Sequence, residues 1–113
     1  MRTKNKGRII FGEAVKECAA VYSGSFRNAF LYGSYARGDY TDESDVDILL
    51  VVDTNAEGIK LHRAEISRIS SDLSLKYDIT VSITVKPSEQ FDRFSDILPF
   101  YKNVVSEGVR YAV

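Results

Sequence analysis

Seven consecutive residues, Val46 to Val52, read VDILLVV. So dense a run of β-branched and leucine side chains marks a buried strand. Asp47 stands inside the run, and Asp45 stands two residues before it. Side chains two apart on a strand share a face. Carboxylates so placed repel when ionised and raise each other's proton affinity. Burial sharpens the conflict. A divalent cation removes it, and Mg²⁺ suits, because it takes one or two carboxylates and fills its octahedron with water and phosphate oxygens.

The acid pair sits in an uneven stretch. Between Gly38 and Glu57 there are seven carboxylates and no lysine or arginine. For Asp39, Asp42, Glu43 and Glu57 a solvated loop is explanation enough; for Asp45 and Asp47 it is not. Upstream, the apolar strand Arg27–Tyr32 stops at Gly33-Ser34. Glycine lets a phosphate approach the backbone. Ser34 adds a hydroxyl and a backbone N–H at the start of a short helical segment running to Gly38, where N–H groups face an anion. Arg37 can reach a phosphate oxygen as a donor fork.

The remaining elements follow from periodicity. Apolar residues recur at helical spacing from Ile9 to Tyr22, with Cys18 on the apolar stripe and therefore core rather than nucleophile. Asp53-Thr54-Asn55 supplies helix-capping chemistry. One long helix is expected from Ala56 to Leu75, with Ile59, Leu61, Ile66, Ile69, Leu73 and Leu75 in the core. Asp78 to Lys86 alternates apolar and polar residues as a strand, with Asp78 and Ser82 on its polar face. Pro87-Ser88 opens a helix, Pro99 breaks it, a last helix runs from Phe100 to Glu107, and Val109–Val113 forms an edge strand. The expected architecture is an α+β (α/β) domain: a small mixed β-sheet with helices packed on one face. Residues 1–8 read as a flexible basic tail and 9–113 as the single domain. His62 reads as a surface residue. Tyr32, Tyr35 and Tyr40 read as packing at the rim of the turn, and Phe91, Phe94, Phe100 and Tyr101 as packing of the C-terminal helices.

Composition excludes several classes. With 15 basic and 16 acidic side chains, direct nucleic-acid binding through a strongly basic surface is disfavoured. A single cysteine and a single histidine rule out thiol clusters and multi-histidine metal sites. No apolar run approaches a membrane span, and no secretion signal is recognisable, so the default expectation is a cytoplasmic protein.

Gly33-Ser34, ten residues, then Asp45-Val46-Asp47, with strands on both sides, is hard to obtain by chance. The segment GSYARGDYTDESDVDILL resembles the signature of the DNA polymerase β-like nucleotidyltransferase superfamily. Its ARG and SDVD details look most like the minimal nucleotidyltransferases. The resemblance implies the polymerase β-like fold, with ATP as substrate, Gly33, Ser34 and Arg37 binding its phosphates, and Asp45 and Asp47 ligating Mg²⁺. Members usually carry a third carboxylate on the next core strand. Here that position falls either on Asp78, as a further metal ligand and catalytic residue, or on Ser82, in which case the acid is missing. Larger relatives append a domain that grips the acceptor, and 113 residues leave none. The acceptor site is therefore expected from a partner or a second subunit. Minimal members are often paired with a small helical HEPN toxin, and several transfer AMP from ATP to a tyrosine of that toxin. The implied function is a protein adenylyltransferase antitoxin. The alternatives are a small-molecule (antibiotic) nucleotidyltransferase completing its site as a homo-oligomer, and a weakly active or inactive binding module that masks a toxin.

Overall fold

The structure, a computed structural model, describes residues 6–111. Helix α1 (Lys6–Tyr22) leads through a 3₁₀ turn (Ser23–Ser25) into β1 (Phe26–Tyr32). Short α2 (Ser34–Arg37) and a loop carry the chain to β2 (Val46–Val52). Helices α3 (Ala56–Leu61) and α4 (Arg63–Tyr77) precede β3 (Val81–Pro87). Helices α5 (Ser88–Phe94) and α6 (Pro99–Glu107) and the two-residue β4 (Val109–Arg110) complete the order. The sheet runs β3-β2-β1-β4 and is mixed: β2 is antiparallel to β1 and parallel to β3.

The central position of β2 explains its composition. Val46, Ile48, Leu50 and Val52 join one core, with Ile10, Val15 and Cys18 of α1 and Ile66, Ile69 and Leu73 of α4. Leu49 and Val51 face the other way and meet Phe30, Phe91, Tyr101 and Val104. Alternate residues of a strand serve opposite faces, so a run apolar throughout is buried on both. Helices thus cover both faces, not one: α1 and α4 take the first, α5 and α6 part of the second. Cys18 is fully buried, and desolvation pushes its thiol up to about 12.

Helix α1 starts at Lys6, so residues 6–8 belong to the domain and not to a tail; the rest of the expected tail, residues 1–5, lies outside the described residues. Gly7 is what lets α1 close on Tyr35, because a Cβ there would lie 2.6 Å from the tyrosine ring. The expected helix 56–75 is two helices, breaking at His62. His62 is not a plain surface residue: its Nδ1 lies 2.8 Å from Glu65 Oε1 and its ring packs edge-on against Tyr22. Leu61 and Leu75 are exposed at 77% and 83%, against expectation. Ile59, Ile66, Ile69 and Leu73 form one row; Leu61 and Leu75 each sit two residues past a member of it, roughly 200° around the helix. Asp78 is not on a strand. It ends α4 in a left-handed conformation (φ 53), and β3 starts only at Val81. The last strand is shorter than expected, and residues 112–113 lie outside the described residues. No described helix is long and apolar enough to cross a membrane.

The capping reading is correct at Asn55, whose side-chain oxygen accepts from the Gly58 N–H at 2.9 Å. Asn55→Ala should therefore cost about 1 kcal/mol of stability, read as a lower midpoint in urea unfolding.

Candidate functional site

β1 and β2 pair antiparallel, with Tyr32 opposite Asp47. The turn that follows Tyr32 is therefore delivered to the mouth of β2. Gly33 has φ 80 and ψ −157, a conformation essentially confined to glycine. Its carbonyl accepts from the N–H groups of Ala36 and Arg37, both at 3.1 Å, which winds the single turn of α2. Gly38 (φ 95) ends it, donating its N–H to the Ser34 carbonyl at 2.8 Å. The N–H groups of Ser34 and Tyr35 head this turn and have no intrahelical acceptor, as at any helix start.

Gly33 and Asp47 touch. A Cβ built on Gly33 would fall 2.5 Å from Asp47 Oδ2. The carboxylate occupies the space a side chain would need, so backbone and acid share one small region. Asp47 is half-buried, and its proton affinity is raised, first by desolvation and then by the negative charge of Asp45; Arg37 opposes both. Asp45 itself is exposed, just ahead of β2. Of the residues singled out in the sequence, the fold thus brings Gly33, Asp45, Asp47 and Arg37 within mutual influence, with Ser34 next to Gly33.

Asp78 stands apart. The parallel register aligns Ser82, not Asp78, with Asp47. Alternation puts Ser82 on the same sheet face as Asp47. Among the described residues no group of three or more His, Cys, Asp or Glu side chains could hold a metal. The donor set is therefore two carboxylates. That set fits a cation such as Mg²⁺, which completes its shell with water and phosphate oxygens; it does not fit a cation that needs an all-protein cage.

Other neighbours were not legible in sequence. Arg37 pairs with Asp39 (Nε to Oδ2, 3.2 Å) and with Glu107 of α6 (3.7 Å). All three side chains are well exposed, so a phosphate can compete for the guanidinium. Tyr32, Gly33, Arg37, Phe100, Asn103 and Glu107 line a pocket of about 180 Å³ beside the turn. Glu107 and Asn103 lie some 70 residues further on, and only the packing of α6 on β1 brings them here. Tyr35 and Tyr40 stack on each other (centroids 4.4 Å, planes 12° apart), and Tyr32 meets Phe100 edge-on. The tyrosines around the turn are thus packing residues, as expected.

The chain that folds its glycine turn against the second of two aspartates also matches, over residues 15–111, a family sequence model described as a nucleotidyltransferase domain. The chain belongs to the nucleotidyltransferase domain family. This nucleotidyltransferase is 35% identical over 96 residues to a protein of Methanocaldococcus jannaschii named as a candidate protein adenylyltransferase, covering 85% of this chain and 88% of that one. A second M. jannaschii protein of the same naming is 41% identical over 73 residues, covering 65% and 72%. Among solved structures, a nucleotidyltransferase assigned as such in Sulfolobus solfataricus superposes with a TM-score of 0.60 at 24% identity, covering 98% of this chain and 87% of that one. A toxin–antitoxin structure with AMP-PNP superposes at 0.54 and 14% identity, covering 89% and 73%. At these identities the two structures bear on the fold alone, which is that of the polymerase β-like nucleotidyltransferases.

Proposed function

We propose that this nucleotidyltransferase moves AMP from ATP, with Mg²⁺, to a hydroxyl of a partner protein, and that the partner is a HEPN-type toxin modified on a tyrosine. One observation carries the reading: the Gly33 backbone lies against the Asp47 carboxylate, so a triphosphate at the turn would meet the acid pair. The naming of the M. jannaschii relatives supports a protein acceptor, and the toxin–antitoxin structure that shares this fold motivates the choice of partner.

In this reading the acceptor oxygen attacks the α-phosphorus. The new O–P bond forms as the bond to the pyrophosphate oxygen breaks, and the hydroxyl proton is released. Gly33 and Ser34 offer backbone N–H and hydroxyl donors to the β and γ phosphates. Arg37 exchanges its exposed carboxylate partners for a phosphate oxygen. Asp45 and Asp47 would hold Mg²⁺, which supplies charge neutralisation on the triphosphate when bound. Ser82 cannot take up a proton as a carboxylate would, and Asp78 is not beside Asp47. Activation of the acceptor hydroxyl therefore rests with the acid pair and with groups the acceptor brings.

Incubation with α-labelled ATP, Mg²⁺ and a purified HEPN-type toxin tests this. Label on a toxin tyrosine, lost with Asp45→Asn, supports it. Absence of label, or equal label from Asp45→Asn, overturns it. Ser82 opposite Asp47 favours a second reading, a binding module: an Asp45→Asn/Asp47→Asn variant that still neutralises the toxin would establish that one.

The register also makes a gain-of-function prediction. Ser82→Asp sets a third carboxylate beside Asp47, where it can accept the acceptor's proton. Transfer under single-turnover conditions should rise about 100-fold, at the lower end of what general-base assistance supplies. Without Mg²⁺ the same variant should melt lower than the parent, because three acids then crowd one strand mouth.

A further inference from the structure

On the sheet face opposite Asp47, α3 and α4 leave a cavity of about 460 Å³ along the outer edge of β3. That volume lies within the range of ligand sites. Val81, Ile83 and Val85 line it and belong to the core of that face or pack against it. The edge itself is partly open. The Thr80 carbonyl accepts from the Val46 N–H at 2.9 Å and so points to β2. Backbone groups alternate in direction along a strand, which turns those of Val81, Ile83 and Val85 outward. At Val81 both are used: its N–H donates to Ser74 Oγ at 3.0 Å and its carbonyl accepts from Ser70 Oγ at 2.5 Å. At Ile83 and Val85 no partner is present among the described residues. Pro87, next in the outward series, has no N–H to satisfy.

Two side chains in the cavity are also unmatched. Tyr22 lines it, and its Oη is buried without a hydrogen-bond partner. Arg63 lines it and makes no ion pair among the described residues. Open strand edges are normally charged, bulged, shortened or covered. The other edge of this sheet, β4, is only two residues long.

We propose that this cavity takes a short extended peptide carrying a carboxylate, which adds to β3 as a further strand, bonds Ile83 and Val85 through its main chain, and sets the carboxylate against Arg63. A chain offering alternate donors and acceptors matches the open backbone. A second copy of this protein matches less well, because β3 carries no acidic side chain and one lysine, Lys86, so edge-to-edge pairing would bring no carboxylate to Arg63.

The test follows backbone amides of ¹⁵N-labelled protein while acetyl-Val-Thr-Val-Glu-amide is added. In the free protein, Ile83 and Val85 should exchange with solvent faster than Ser82 and Thr84. Peptide should slow Ile83 and Val85 about tenfold or more, as pairing does elsewhere in a sheet. Arg63→Glu, an exposed change, should weaken binding about fivefold, and a peptide ending in lysine should recover it. The proposal fails if millimolar peptide leaves these two amides unchanged or shifts those around Gly33 instead. It also fails if acetate alone reproduces the effect, or if both amides are already protected in a manner that follows protein concentration.

Discussion

Asp47→Asn should cut nucleotidyl transfer by about three orders of magnitude while making the folded chain harder to melt at neutral pH. On the proposed function, the rate loss follows from removing one of the two charges that would hold the cation of the triphosphate, an effect worth several kcal/mol in the transition state. The gain in stability follows from the raised proton affinity of Asp47 in the fold. Its ordinary value is 3.8, and burial and Asp45 lift it. A carboxyl that holds its proton more tightly when folded helps the fold most below its unfolded value. That help is lost as pH climbs through the folded value. At neutral pH the ionised group is thus a cost, and asparagine of the same shape removes it. Thermal melts of parent and variant should differ most near pH 7 and converge as pH falls towards 3.8. Mg²⁺ with ATP should raise the parent's midpoint and leave the variant's almost unmoved, since a ligand stabilises only what binds it. A variant that melts lower than the parent at pH 7 would contradict the electrostatic account.

Gly33→Ala should be nearly as damaging, for a steric reason. The φ of 80 with ψ −157 costs a non-glycine residue about 1–3 kcal/mol. The new methyl would also lie 2.5 Å from Asp47 Oδ2, so either the turn or the acid must move. A displacement of about 1 Å at a reacting centre can cost on the order of 100-fold in rate. Gly38→Ala is the matched control. Gly38 also has positive φ, but nothing lies within 4 Å of its added methyl. It should lose stability and keep most of its activity at temperatures where it remains folded. Comparable activity losses in both variants would mean that backbone strain, and not the Gly33–Asp47 contact, is what matters.

The parts of this molecule that sequence revealed are those where one local rule governs. VDILLVV could only be an interior strand, and its bounds came out as expected. The pairing of Gly33 with Asp45 and Asp47 was legible because the segment GSYARGDYTDESDVDILL carries the resemblance to a known signature. Where two rules competed, sequence misled. Asp78 continued the alternation of the strand beyond it, yet the left-handed end of α4 claimed it; the alternation could not say where the helix let go. Leu61 and Leu75 were assigned to the core by hydrophobicity, while their angular position around the helix put them in solvent. Glu107 and Asn103 carried no local signal at all, since their place beside Arg37 depends on how α6 packs against a strand far away in the chain. The choice between Asp78 and Ser82 needed strand register, which pairing partners set and a single strand does not contain.

Main-chain donors at a glycine turn and a pair of acids can address only what every nucleoside triphosphate has in common. Such a lip is blind to the base. Discrimination between purine and pyrimidine must be built from side chains that lie beyond it, so substitutions at Gly33, Ser34 or Asp47 should slow all four nucleotides in step and leave their ranking intact.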